Sequence, residues 1–156
     1  MATRRRIVAA TDFSEAGDFA VAQAFGLAAG EGTEVIVVHA VDPPVAPNPL
    51  YAHYGPTGAP SAEQEAAMRD AAEQALADRI PASARERGIR VRTEVRSGAA
   101  LDVLLEIVEE TGADLLVVAD SGRTKLSRVV LGSVADRIVS LAPCSVLVAR
   151  RPAKRG

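Results

Sequence analysis

The chain has 156 residues, 48% of them hydrophobic and 24% charged, with a formal net charge of −2. That length suits one domain, expected over residues 1–156, large enough to fold without disulfides or metal. The slightly acidic balance argues against a nucleic-acid partner, which calls for a basic face and aromatic platforms.

Aromatics make up only 3% of the chain and Trp is absent, so the core is expected to be aliphatic. The single cysteine, Cys144, excludes an internal disulfide and fits a reducing, cytoplasmic setting. Asp12 and Glu15 interrupt the early apolar run that a signal peptide would need. No segment approaches the ~20 apolar residues of a membrane span. Two basic clusters, Arg4-Arg5-Arg6 and Arg150-Arg151 with Lys154-Arg155, read as solubilising flanks, with an anionic partner as the alternative.

The first predicted strand is Ile7–Thr11, a short apolar run suited to burial on both faces. Ser14 or Asp12 caps the helix that follows, which carries Phe19, Ala22, Phe25 and Ala29 on one face and stops before Gly30 and Gly32. Glu34–Val41 is the second strand, its β-branched run disfavouring helix.

Residues 43–60 hold six of the nine prolines, both tyrosines and His53, and are expected to form a flexible loop. Ser61 and Gln64 have capping-box spacing. They open a helix that extends to about Gly88 and is kinked or split at Pro81.

Ile89–Val95 alternates apolar and polar residues as an edge strand does. Ala99–Thr111 is the next helix, with Leu101, Leu104, Leu105 and Val108 inward. Leu115–Ala119 is the fourth strand. A loop over Asp120–Ser127 leads to a helix around Leu131–Leu141, and Pro143 precedes the fifth strand, Ser145–Ala149. Residues 151–156 are expected to be a flexible tail.

Strict β-α alternation with buried strands implies a doubly wound five-stranded parallel sheet with helices on both faces. With strand order 3-2-1-4-5, a ligand is expected beyond the carboxyl ends of the first and fourth strands, near Thr11-Asp12 and Ala119–Ser121. Gly122, Arg123 and Gly132-Ser133 supply what an anion needs there: close backbone approach, a positive charge and free amides at a helix start. The alternative is that Gly122 only makes a turn and Ser133 only caps a helix.

His39 reads as a satisfied histidine at a strand end rather than a base, and Cys144 as a small core residue. No nucleophile-base-orienter set stands out. With two histidines in the chain, no zinc site is expected. Walker A and G-x-G-x-x-G patterns are both absent, which excludes P-loop NTPases and leaves dinucleotide dehydrogenases unsupported.

Several runs carry a family likeness. They are Ala10-Thr11-Asp12-Phe13-Ser14, Val37-Val38-His39-Ala40, and the closing Leu131-Gly132-Ser133-Val134-Ala135 followed by Ala142-Pro143-Cys144-Ser145-Val146-Leu147-Val148. In these the chain resembles the universal stress protein family over almost its whole length. The resemblance implies an adenine nucleotide alpha hydrolase-like fold and a homodimeric stress-response module that binds ATP or a related adenine nucleotide, with Mg²⁺ as companion and little or no catalysis.

It further implies that Asp12 meets the adenine or ribose and that the Ala40 backbone meets the adenine edge. Gly122, Gly132, Ser133 and Val134 would line the phosphates. The family's first loop glycine is replaced by Ala119, and the small-residue-histidine pair after it by Asp120-Ser121. A carboxylate there opposes phosphate unless Mg²⁺ or Arg123 intervenes. The alternative is therefore an interaction dimer that has lost nucleotide binding. Pairing is expected at the apolar edge Val146, Leu147 and Val148.

Overall fold

A computed structural model describes residues 4–41, 60–120 and 133–152. The strands are β1 (Arg5–Ala10), β2 (Thr33–Val41), β3 (Arg90–Ser97), β4 (Leu115–Ala119) and β5 (Ser145–Ala149). The helices are α1 (Glu15–Leu27), α2 (Ala62–Asp78), the short α3 (Ser83–Glu86), α4 (Ala100–Thr111) and α5 (Ser133–Leu141). The five strands form one parallel sheet in the order β3-β2-β1-β4-β5, as the alternation implies. The proline-rich stretch up to Thr57-Gly58-Ala59 and the tail beyond Pro152 lie outside the described residues.

Continuous apolar strands are explained by the two cores. Ile7, Ala9, Val35, Val37, Leu115 and Val117 face a cluster with α1, α2 and α3. Their neighbours Val8, Ile36, Val38, Leu116 and Val118 face a second cluster with α4 and α5. Successive side chains point to opposite faces, so a strand covered on both sides must be apolar at every position.

Helix faces differ in detail from the sequence reading. On α1 the buried stripe is Gly17, Ala20, Val21, Ala24 and Phe25, while Ala22 and Ala29 face solvent. Alternating steps of three and one keep pace with 3.6 residues per turn, whereas the expected i, i+3, i+6, i+10 set drifts off the face. On α4 the buried set is Val103, Leu104, Ile107 and Val108, with Leu101 and Leu105 only half-buried.

Ser61 caps α2 through a complete capping box with Gln64. The run to Gly88 is split: α2 ends at Asp78 and Pro81 stands between it and α3. β3 is an edge strand, extending from Arg90 to Ser97. Its Glu94 pairs with Arg92 and Arg96, and Arg96 reaches on to both oxygens of Glu110 on α4 at 3.1 and 2.6 Å. The strand order reverses between β1 and β4, which is where a doubly wound parallel sheet opens a crevice.

Candidate functional site

Just past β1 the chain makes a tight, hydrogen-bonded turn. The Thr11 amide extends the sheet by donating to the Val38 carbonyl at 3.0 Å. The Thr11 hydroxyl oxygen then accepts from the Phe13 amide at 3.0 Å. Asp12 Oδ1 accepts from both the amide and the hydroxyl of Ser14. Ser14 Oγ in turn accepts from the Gly17 amide at 3.1 Å, so Ser14 caps α1 and Asp12 holds the turn before it.

Phe13 sits at φ +66°, a left-handed conformation that costs a side-chain-bearing residue about 1–2 kcal/mol. Gly17 is required by close approach: a Cβ there would lie 2.5 Å from Thr11 Oγ1 and 2.9 Å from Asp12 Oδ1.

His39 is held beside this turn. Its Nδ1 lies 2.9 Å from the Thr11 carbonyl oxygen, an acceptor, so Nδ1 carries the hydrogen and donates. The imidazole stacks on Phe13 with ring centroids 4.2 Å apart.

Beyond the carboxyl ends of β1, β2 and β4 lies a cavity of about 690 Å³. Thr11, Asp12, Ala40, Ala119, Ser133 and Val134 all line it, so residues scattered over most of the sequence meet in one place. Gly122, Arg123 and Gly132 lie outside the described residues. Val146, Leu147 and Val148 are half-buried on β5, which pairs with β4 alone among the described residues.

Two features of the cavity escape the sequence reading. The first is the start of α4: Ala99, Ala100 and Leu101 line the space, and the N-cap residue Ala99 offers no side-chain hydrogen bond. The first-turn amides of α4 are thus left for other acceptors, and their helix dipole adds to that of α5, which starts at Ser133 on the same cavity. An alanine where a Ser, Thr, Asp or Asn cap would be usual was the available signal. The second is Arg137, one turn into α5, whose side chain joins the lining. Its helical spacing from Ser133 places it on the same face.

Asp120 is the first residue after β4. Its amide donates to the Ala149 carbonyl at 3.1 Å and its Oδ2 pairs with Arg150 Nε at 2.9 Å. Its Oδ1 is buried without a hydrogen-bond partner. The Asp120 side chain is not part of the cavity lining. Next to Arg150 in the chain, Arg151 pairs through Nη1 with Glu15 Oε2 at 2.5 Å.

Cys144 is half-buried, and burial pushes its thiol above the ordinary range. No helix among the described residues is long and apolar enough to cross a membrane.

Comparison with known proteins agrees with this architecture. The sequence is 31% identical over 150 residues to universal stress protein MJ0531 of Methanocaldococcus jannaschii, spanning 96% of this chain and 84% of that one. A crystal structure of a universal stress protein in complex with cAMP superposes with a TM-score of 0.66 at 24% identity, over 95% of this chain and 98% of that one. A family protein from Arabidopsis thaliana with AMP bound gives a TM-score of 0.62 at 18% identity, over 96% and 93% of the two chains. The sequence pattern that defines the universal stress protein family matches residues 3–150, and the chain belongs to that family.

Proposed function

We propose that this protein binds ATP or a related adenine nucleotide in the cavity at the β1–β4 crevice and acts as a homodimeric stress-response module. The observation that carries the reading is the meeting of two helix N-termini, α4 and α5, with Arg137 on a single cavity of about 690 Å³. Amides at helix starts and a guanidinium suit phosphate oxygens. The volume lies within the ~300–1,000 Å³ range of small-molecule sites. Asp12 and the Ala40 backbone, on the β1–β2 side, are proposed to meet the base and ribose, and Ser133 and Val134 the phosphates. The AMP and cAMP complexes of family members support adenine as the base.

Mg²⁺ fits as a companion of the phosphates rather than as a resident ion. Asp12 is the one carboxylate among the described lining residues. No group of three or more His, Cys, Asp or Glu side chains that could hold a metal occurs among the described residues. Mg²⁺ ordinarily keeps several waters and takes one or two carboxylates plus phosphate oxygens. The proposed role is binding rather than turnover: His39 gives its Nδ1 hydrogen to Thr11 and is not among the lining residues.

The dimer reading rests on β5. Its outer edge carries Val146, Leu147 and Val148, and the neighbouring α5 exposes Val139 and Leu141 to about half their area (49% and 53%). An apolar strand edge with unpaired backbone groups is a template for a second copy.

Titration calorimetry of nucleotide-free protein with Mg-ATP, AMP and cAMP, against Mg-GTP, tests the proposal. Binding of adenine nucleotides near one per chain, and not of GTP, is expected. Absence of heat with all three, and of nucleotide in an acid extract of fresh protein, would refute it. Sedimentation velocity at micromolar concentration tests the dimer, and Leu147→Lys is expected to yield monomer.

A further inference from the structure

In the Asp120–Arg150 pair, a carboxylate has one oxygen, Oδ1, buried without a partner and the other on Arg150 Nε at 2.9 Å. Burying a charge is tolerated only when it is compensated, and removing the partner of a buried pair exposes the full cost. The compensation comes from the neighbouring strand, far away in sequence: Asp120 directly follows β4 and Arg150 directly follows β5.

Asp120 also follows Ala119, which lines the cavity. The pair therefore stands one residue from the cavity wall, at its rim. An unneutralised charge at the rim would repel an anionic ligand, because charges within about a screening length of 8 Å still interact in physiological salt.

We propose that Arg150 is a positioning residue of the cavity: by holding and neutralising Asp120 at the rim beside Ala119, it lets the cavity accept an anionic ligand. The inference rests on the nucleotide reading above. It makes anion affinity depend on a residue at the end of β5, outside the cavity lining. It also predicts a charge-graded signature, because the repulsion unmasked by losing Arg150 scales with the charge on the ligand. Arg151 offers a control of equal charge. Its partner Glu15 has a side chain 84% exposed, so water screens that carboxylate whether or not Arg151 is present.

The test is the affinity of wild type, R150Q, R150K, R151Q and R150Q/D120N for adenosine, AMP and ATP, each protein first checked by thermal melting. R150Q is expected to weaken ATP about tenfold and AMP about threefold, leaving adenosine unchanged, as a Coulombic effect would. R150K, which keeps the charge, and R150Q/D120N, which removes both charges, are expected to lie within about twofold of wild type, and R151Q likewise.

Equal losses for adenosine and ATP in R150Q would reduce Arg150 to a structural role and overturn the inference. So would unchanged ATP affinity in R150Q, or failure of D120N to restore it. Wild type that binds none of the three ligands would overturn the nucleotide reading itself, and this inference with it. If R150Q does not fold, the comparison of R150K with R150Q/D120N decides alone: loss of ATP affinity in both overturns the inference.

Discussion

The guanidinium of Arg79 lies over the ring of Phe13, 4.7 Å from its centroid, and donates to the Phe13 carbonyl oxygen at 3.3 Å. The same side chain pairs with Asp18 at 2.5 Å and donates to the Ala75 carbonyl at 2.9 Å. Phe13 is thereby gripped between Arg79 and His39 in its left-handed conformation, directly after the cavity residue Asp12. Backbone strain of this kind persists only where surrounding contacts over-determine it. Arg79→Ala is expected to cost about 1–2 kcal/mol of stability in urea unfolding, from the lost cation-π contact and hydrogen bonds. It should also weaken nucleotide binding, because the turn holding Asp12 loosens; unaltered affinity would separate the grip from the site.

Gly17 and Gly26 make a matched pair on α1. A Cβ at Gly17 would collide with Thr11 and Asp12, whereas one at Gly26 meets nothing within 4 Å. Gly17→Ala should therefore destabilise by about 1–3 kcal/mol through overpacking and displace the Asp12 turn. Gly26→Ala should stabilise by roughly 0.5–1 kcal/mol, the usual gain of alanine over glycine inside a helix. Paired thermal melts, with calorimetric titration of each variant, check both signs.

Arg137 is expected to read the charged end of the ligand. Arg137→Gln should lower the affinity for AMP and ATP by a factor of about ten, the worth of one charge-assisted contact at a solvent-accessible position. Adenosine, which has no phosphate, should bind as to wild type. A loss shared equally by adenosine would mean that Arg137 shapes the cavity rather than meeting the anion.

Cys144 should be sluggish. Because burial raises its pKa, less of the thiol is ionised at neutral pH than in the unfolded chain, and the thiolate is the reacting form. Alkylation by iodoacetamide at pH 7.5 is expected to run about tenfold slower in the native protein than in urea. The native rate should climb as pH is carried above the ordinary thiol range of about 8.5. A native rate matching that in urea would contradict the shift.

Strands were legible because each central strand carries an unbroken apolar run, Ile7–Ala10, Val35–Val38 and Leu115–Ala119, and because Ser14 and the Ser61–Gln64 box mark the helices that follow the first two. The Ser61–Gln64 capping box is a local device, and local devices can be read from spacing alone. What stayed hidden depends on residues far apart in the chain. The buried stripe of α1 is chosen by where the sheet lies, and a slip of one position puts Ala22 outward. Arg137 and the uncapped start of α4 become a site only when β3, β4 and their crossovers bring two helix ends together. The pairing of Asp120 is likewise set by Arg150, thirty positions later, so in the sequence its charge reads as uncompensated where the fold supplies a partner.

The two borders of the sheet are chemically unequal. At β3 the alternating guanidinium and carboxylate groups of Arg92, Glu94 and Arg96 leave no apolar rim for another strand to extend. At β5 the rim is Val146-Leu147-Val148. A copy that joins at β5 turns its own charged β3 outward, and nothing further can add there. Were the proposed pairing at β5 to form, growth strand by strand would stop at two copies, because the charged β3 border offers no second apolar rim from which a fibre could elongate.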